Sequence, residues 1–343
     1  MKKIRVAVNG YGVIGKRVAD EVALQTDMEL AGVCDISNDW RIKIALQKKY
    51  KVFSVDTSSQ SSMMESDIKL SGLLDDLLAS CDLVVDCTPK KFGAANIAKY
   101  KQAGIKYILH GGEKHNTTQH SFVAEVSYET ALNRECTRVV SCNTTSIVRT
   151  LHTLKQAELL QYARGTLMRR ATDPWESDQG GIMNTIVLEP TIPSHQASDA
   201  QTVIPDLDVV TVAVKVPQTL AHIHYWNVKL TRPTSREEVI DTFRKSSRIA
   251  FIKQSEGFHA INSVKEMMLT QNRPFGDMYE VAVWEDMITV KGDELFYAYM
   301  VDNQAIVIPE TIDAIRAISG SKTSAADSII QTDKSLGITQ HFY

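Results

Sequence analysis

Of the five cysteines in this chain, one stands where covalent chemistry would need it. Val139-Val140-Ser141-Cys142-Asn143-Thr144-Thr145 places a thiol where an apolar strand ends and a helical pattern begins, with Ile147, Leu151 and Leu154 forming the helix's apolar stripe. The unpaired N–H groups and positive end of a helix favour a thiolate there. The same N–H groups can hold the oxyanion formed when the sulfur attacks a carbonyl. Cys34, Cys81, Cys87 and Cys136 lack that setting, and three of them lie in or beside apolar strands as core packing. No cysteine pair has the two-residue spacing of a zinc knuckle, and no histidine–carboxylate arrangement suits a metal, so no metal is expected.

A thiol nucleophile needs a proton acceptor. Leu220-Ala221-His222-Ile223-His224 offers two histidines in an apolar, strand-like stretch. In a regular strand both face one side and Ile223 the other, so periodicity does not choose between them, nor between a base and a pair of core histidines. Arg169 and Arg170 adjoin in another strand candidate, where neighbouring side chains point to opposite faces. One surface charge plus one salt bridge accounts for them as simply as an anion site does.

A second constellation lies near the amino terminus. Asn9-Gly10-Tyr11-Gly12-Val13-Ile14-Gly15 follows the first strand and opens the first helix. Gly10 permits the tight turn, Gly12 lets backbone approach a pyrophosphate, and Gly15 lets the helix pack closely on the strand. The helix N-terminus favours a phosphate. Asp35 stands twenty residues past Gly15 at the end of the second strand, where a carboxylate can accept the ribose hydroxyls of NAD and repel the 2′-phosphate of NADP. Ser37, Asn38 and Arg41 are nearby alternatives for receiving that phosphate.

Positioning these groups takes two architectures. Ile4–Asn9, Leu30–Cys34, Leu83–Cys87, Tyr107–His110 and Arg138–Ser141 are short apolar strand candidates, separated by helical stretches such as Gly93–Ala103. That alternation predicts an α/β domain whose parallel sheet carries helices on both faces. Beyond residue 142 the grain changes. Ala163–Arg170, Asp208–Val216, Ala221–Leu230, Tyr279–Trp284 and Leu295–Val301 are β-rich, with helix candidates only at Ser235–Phe243 and Pro309–Ile318. A mixed, largely antiparallel sheet is expected there. Thr57–Ser66 reads as a polar surface loop and Ser319–Tyr343 as a polar tail docked on the surface.

Composition bounds the partners. At about 150 residues per domain, 343 residues suggest two domains. Lys+Arg 38 against Asp+Glu 41 gives a net charge of −3, which excludes a chain built to coat nucleic acid or an anionic membrane but leaves room for one local anion pocket. No apolar run approaches the ~18–20 residues of a membrane span. Met1-Lys2-Lys3-Ile4-Arg5 is basic, but Asn9 and three glycines follow in place of a signal peptide's apolar segment. An odd number of cysteines in a long chain argues for reduced thiols in a cytoplasmic protein.

Several motifs together carry a resemblance. Asn-Gly-Tyr-Gly-Val-Ile-Gly-Lys-Arg at 9–17, His-Gly-Gly-Glu-Lys at 110–114 and Ser-Cys-Asn-Thr-Thr at 141–145 resemble the archaeal branch of phosphorylating glyceraldehyde-3-phosphate dehydrogenase. Arg169-Arg170, Pro193-Ser194-His195, Thr219–His224 and the run from Gln304 to Glu310 continue it in order. The bacterial and eukaryotic branch has Thr-Thr-Asn after the cysteine, and this chain has Asn143 first.

The resemblance implies a Rossmann NAD(P)-binding domain over 1–141, a catalytic domain over 142–304, and a segment 305–343 that packs back on the first. It implies Cys142 as nucleophile and His222, with His224 as its neighbour, as the base that takes the hydroxyl proton during hydride loss. Gly10, Gly12, Val13, Ile14, Gly15, Asp35, Gly112, Arg170 and Gln304 are implied cofactor contacts, with Thr88-Pro89 as the turn on the adenosine side. Ser141, Asn143, Arg169, His195 and Gln196 are implied substrate contacts. Many family members have a second histidine where this chain has Gln196; an amide can still hydrogen-bond phosphate but adds no charge. Many archaeal members carry lysine where this chain has Asp35, which leans the cofactor expectation from NADP towards NAD. The implied activity is oxidation of glyceraldehyde 3-phosphate with inorganic phosphate to 1,3-bisphosphoglycerate, a step of glycolysis and gluconeogenesis, in a homotetramer. A non-phosphorylating or acyl-phosphate aldehyde dehydrogenase, and a dinucleotide-binding regulator without chemistry, are the alternatives.

Overall fold

Ile4, Val6, Ala7 and Val8 are all buried in Ile4–Asn9 (β1), and a strand covered on both faces belongs inside a parallel sheet. In the computed structural model, which describes residues 3–110, 112–174 and 183–343, β1 pairs in parallel with Met28–Asp35 (β2) and Leu83–Asp86 (β5). The sheet runs outward from β2 through Val52–Ser54 (β3) and Gly72–Leu73 (β4). From β5 it runs through Lys106–Leu109 (β6) and Cys136–Val139 (β8) to Ser121–Phe122 (β7), every pair again parallel. The strand order therefore turns in opposite directions from β1, and the crevice beyond the carboxyl ends of β1 and β5 is the ligand position of such sheets. The glycine loop begins there.

The chain divides into two units, Met1–Ser141 with Ile308–Leu336 and Cys142–Val307 with Gly337–Tyr343. The stretch expected to return to the first unit, 305–343, is thus shorter than expected. Its final residues bind elsewhere: the Thr339 N–H donates to Glu280 Oε1 at 2.9 Å and Gln340 Nε2 to the Ser246 carbonyl at 2.7 Å, both in the second unit. Ser319–Tyr343 is also more than a surface tail, because Ala325–Leu336 is a helix. The returning helices are held by Arg316, fully buried, which donates to both Asp27 oxygens at 2.8 and 3.0 Å, to Gln25 at 2.7 Å and to Thr332 at 2.6 Å. Thr57–Glu65 is likewise a helix, not a loop. Asp56 accepts the Ser59 N–H at 2.8 Å while Ser59 Oγ accepts the Asp56 N–H at 3.2 Å, a reciprocal cap that offsets the segment's polarity.

The second sheet begins with Leu160–Arg170 (β9), Val187–Leu188 (β10), Val209–Val216 (β11) and His222–Leu230 (β12). Ile249–Ile252 (β13), Val281–Trp284 (β14), Thr289–Lys291 (β15) and Glu294–Val301 (β16) complete it. Their order is β10-β11-β9-β12-β16-β14-β13, with β15 on β16. β9 with β11 and β13 with β14 are parallel and the other pairs antiparallel. Along β12 the side chains alternate: His222, His224, Trp226, Val228 and Leu230 are buried, while Tyr225 is exposed. The helix Cys142–Gln156, almost wholly buried after its first residue, packs against β9 and β16.

The tight start of the first helix yields a stability test. A Cβ on Gly15 would lie 1.8 Å from the Gly10 carbonyl oxygen, which is backbone and cannot step aside cheaply. Gly15→Ala is expected to lower stability by about 1–3 kcal/mol, as overpacking does, and to loosen dinucleotide binding. Thermal unfolding and a cofactor titration check this; an unchanged midpoint with unchanged affinity would refute the packing.

Candidate active site

Cys142 is the first residue of the helix Cys142–Gln156, and its Sγ lies 3.4 Å from Nε2 of His222 on β12. The other ring nitrogen, Nδ1, accepts the Arg170 backbone N–H at 2.9 Å. A backbone N–H only donates, so the neutral ring carries its proton on Nε2, facing the sulfur. Burial pushes His222 well below its ordinary range, with His224, Arg170 and Arg169 adding repulsion, so the ring is neutral. Burial also pushes the Cys142 thiol up to about 11, against the downward pull of Arg170 and Arg169. The base role implied by the resemblance needs a bare Nε2, hence a proton on Nδ1 directed at the Arg170 N–H. This geometry makes His222 a donor to the sulfur.

His224 faces the same side of β12 and does different work. Its Nε2 is 2.8 Å from Asn143 Oδ1, and its Nδ1 is 2.9 Å from the Tyr299 hydroxyl, which lies 3.3 Å from Ser146 Oγ. Burial and Arg169 push it down to about 3. A neutral ring fixed at both nitrogens holds the Asn143 side chain beside Cys142.

The two arginines each meet one carboxylate. Arg170 Nη2 pairs with Asp173 Oδ1 at 3.1 Å, and the same oxygen accepts Gln304 Nε2 at 3.1 Å and Asn303 Nδ2 at 3.3 Å. Arg169 Nη1 donates to Glu189 Oε2 at 2.8 Å, and Glu189 Oε1 is 3.0 Å from His195 Nδ1. Several buried polar atoms have no partner among the described residues: Nε of Arg169, Nε of Arg170, Thr145 Oγ1 and both amide atoms of Gln196, which is fully buried. Each costs about 1–3 kcal/mol if left so. A polar ligand would relieve that cost.

Of the candidate dinucleotide contacts, Gly10, Gly12, Val13, Ile14, Gly15, Asp35 and Gly112 lie in the first unit, and Arg170 and Gln304 in the second. Gly10 has φ +91°, and a Cβ there would sit 2.8 Å from the Thr88 nitrogen; Gly12 meets nothing within 4 Å. The helix Val13–Leu24 that follows has no side-chain cap and no acid in its first turn, which leaves its positive end and the open Gly12 backbone to a pyrophosphate. The residues present fit NAD(P). Asp35 is pinned, with Oδ2 accepting the Tyr11 N–H at 2.6 Å and Oδ1 the Ser37 N–H at 2.8 Å. Arg41 holds both oxygens of Asp39, with Nε at 3.0 and 3.1 Å. Gly112, at φ +75°, precedes Glu113, whose carboxylate accepts the Lys91 N–H at 2.7 Å and so caps the helix Phe92–Gln102.

Comparison with known proteins agrees with this geometry. Residues 141–287 match the family model described as glyceraldehyde 3-phosphate dehydrogenase, C-terminal domain, and residues 4–132 match dihydrodipicolinate reductase, N-terminus. The glyceraldehyde-3-phosphate dehydrogenase of Thermococcus kodakarensis is 41% identical over 98% of this chain and 99% of its own. That of Methanococcoides burtonii is 41% identical over 98% of this chain and 100% of its own, and that of Archaeoglobus fulgidus 41% over 100% of both. The chain belongs to the glyceraldehyde-3-phosphate dehydrogenase family. It is therefore an NAD(P)-dependent oxidoreductase by family, and its two sheets follow the Rossmann and mixed-sheet plan.

Within this dehydrogenase the second unit gathers Cys142, Asn143, Arg169, Arg170, His222 and His224, whereas Ser141 ends the first unit. Among the described residues, His195 connects to Arg169 through Glu189, and Gln304 to Arg170 through Asp173. Sequence reasoning missed both carboxylates and Tyr299. Asp173, three residues beyond Arg170, was readable as an (i, i+3) partner; nothing local flagged Glu189, twenty residues from Arg169. His110 and His120 are buried packing residues, 2.8 Å from Thr311 and 2.7 Å from Thr137 respectively.

The raised thiol predicts how Cys142 reacts. Alkylation by iodoacetamide follows the thiolate fraction, so its rate should climb about tenfold per pH unit between pH 7 and 9. Arg170→Gln should lower the rate throughout, because it removes the charge that most opposes the effect of burial. A rate flat with pH, or a faster Arg170→Gln, would contradict this electrostatic balance.

Proposed function

We propose that this chain is a phosphorylating glyceraldehyde-3-phosphate dehydrogenase, converting D-glyceraldehyde 3-phosphate and inorganic phosphate to 1,3-bisphosphoglycerate through a covalent adduct at Cys142. The observation that carries this reading is the Cys142 sulfur at a helix start, 3.4 Å from His222 Nε2, with both arginine charges acting on it. The thiol gives its proton to solvent as the thiolate forms. The thiolate adds to the aldehyde carbon, and negative charge passes to the former carbonyl oxygen. His222 holds that oxygen through Nε2–H, a role for which its tautomer is already set. Asn143, oriented by His224, is the neighbouring polar contact.

NAD(P), when bound, would supply the hydride acceptor; Gly10, Gly12, Val13, Ile14, Gly15, Asp35 and Gly112 of the first unit would hold it, and Arg170 and Gln304 are the cofactor contacts that the resemblance implies in the second. Oxidation of the adduct leaves a thioester, which retains the reaction's free energy until phosphate attacks and the thiolate departs. His222 Nε2–H again meets the charge on oxygen. Arg169, His195 and Gln196 receive phosphate groups, and the unpartnered Arg169 Nε and Gln196 amide support that assignment. Half-exposed apolar residues on the open face of the second sheet, among them Val210, Val212, Tyr225 and Phe296, support assembly of copies into the homotetramer. Among the described residues no helix is long and apolar enough to cross a membrane, and we place the enzyme in the cytoplasm.

Two experiments test the reading. With glyceraldehyde 3-phosphate and dinucleotide, sustained cofactor reduction should require inorganic phosphate, and Cys142→Ser should lose several orders of magnitude while cofactor binding persists. Steady turnover indifferent to phosphate would point instead to a non-phosphorylating aldehyde dehydrogenase, and a serine variant keeping more than a few per cent would remove Cys142 from the chemistry.

The second concerns the dinucleotide. Asp35 is fixed by two backbone N–H groups and Arg41 is engaged by Asp39, so a 2′-phosphate meets a negative charge that is held in place. NAD should be preferred by roughly 10–100-fold in kcat/KM, the range that close like charges give. Asp35→Asn should shrink that ratio mainly through the KM for NADP. A measured preference for NADP would transfer the choice to the neighbouring polar and basic residues.

A further inference from the structure

Among the described residues, Glu189 is the carboxylate that meets both proposed phosphate ligands, Arg169 at 2.8 Å and His195 at 3.0 Å. Its backbone is fixed at the sheet edge, where its N–H donates to the Ala213 carbonyl at 3.0 Å just after the pairing of β10 with β11. The side chain has three rotatable bonds and can leave without moving that edge. Arg169, by contrast, stays on β9, paired with Lys215 of β11. Two further observations mark the place as built for an anion larger than a carboxylate. Arg169 Nε is buried with no partner among the described residues, and so are both amide atoms of the fully buried Gln196, next in sequence to His195. Glu189 satisfies part of this donor set and leaves the rest unmet.

We propose that Glu189 is a built-in competitor at the phosphate site, occupying Arg169 and His195 in the free enzyme until a phosphate group displaces it. The proposal rests on the reading of Arg169 and His195 as phosphate ligands. Its physical content is a population effect. Only the fraction of enzyme with Glu189 swung away binds the anion, so the apparent dissociation constant is the intrinsic one divided by that fraction. The carboxylate therefore weakens every anion by the same factor. Weak, abundant anions then fail to occupy the site, and a phosphorylated product leaves faster than a bare arginine–histidine–glutamine pocket would allow. A phosphate has oxygens enough to engage Arg169 and His195 and still reach the donors that Glu189 leaves idle.

The test is Glu189→Gln in the full-length protein, which keeps the shape and removes the charge. Calorimetric titration with inorganic phosphate should give a dissociation constant roughly tenfold lower than wild type, and nitrate binding should tighten by a similar factor. The KM for glyceraldehyde 3-phosphate should fall while kcat does not rise. If Glu189 merely braces Arg169 in position, the same variant weakens phosphate binding, and that outcome overturns the proposal, as does an unchanged affinity. Arg169→Gln separates the two layers. Loss of phosphate affinity in Arg169→Gln together with no gain in Glu189→Gln refutes the competitor alone. Unchanged phosphate affinity in Arg169→Gln refutes the site, and the competitor with it.

Discussion

The hydrogen bond from the Arg170 backbone N–H to His222 Nδ1 is the constraint on which the chemistry of this site turns. A main-chain N–H cannot accept a proton or rotate away, so it holds the imidazole in one tautomer with its remaining hydrogen on the side of Cys142. That contact depends on the antiparallel register of β9 and β12, where Ile223 lies opposite Met168 and His224 opposite Leu167. The register in turn depends on burial. A one-residue slip of β12 would send His222, His224 and Trp226 to the open face and bring Tyr225 inside. The core that sets the strand register thus also sets where the proton sits on the ring that faces Cys142.

Charge around the sulfur is arranged in a second layer. Arg169 and Arg170 both pull the Cys142 thiol down, yet each is engaged by a carboxylate, Glu189 or Asp173. Each arginine with its carboxylate forms an ion pair of no net charge beside the sulfur. Asp173 additionally gathers Asn303 and Gln304 on the oxygen that pairs with Arg170. Three groups from distant parts of the second unit then share one orientation.

Much of this was legible in the amino-acid sequence, and the divisions are physical. The glycine loop announced itself because Gly10 and Gly15 answer local steric demands, as the contact between a Gly10 Cβ and Thr88 makes plain, while Gly12 leaves the backbone open. The thiol at the helix start and the two histidines on one strand face follow from periodicity alone. The periodicity could not tell which histidine meets the sulfur, because that is decided by β9, the helix Cys142–Gln156 and Tyr299, all remote in the chain. Thr57–Glu65 was hidden by its polarity, since a helix there rests on the Asp56–Ser59 cap and one buried methionine, Met63. The division of the carboxyl-terminal segment between two units was hidden as well. Arg316 in one and Glu280 in the other find their partners only after folding. Glu189 is the hardest case: an ordinary acid in sequence, given its meaning by an arginine and a histidine that tertiary structure brings to it.

The two units share one device for holding titratable side chains. In the first, Asp35 is fixed by the N–H groups of Tyr11 and Ser37, and Glu113 by that of Lys91. In the second, His222 is fixed by the N–H of Arg170. A main-chain donor loses no rotamer freedom when it binds and does not titrate, so it orients its partner at little entropic cost and at any pH at which the fold persists. Contacts between two ionised side chains behave differently. Arg169 with Glu189 and Arg41 with Asp39 involve long side chains and partial exposure, so such pairs exchange partners readily. Groups that must keep one orientation through the reaction therefore hang from the backbone. The paired carboxylates stay free to exchange partners.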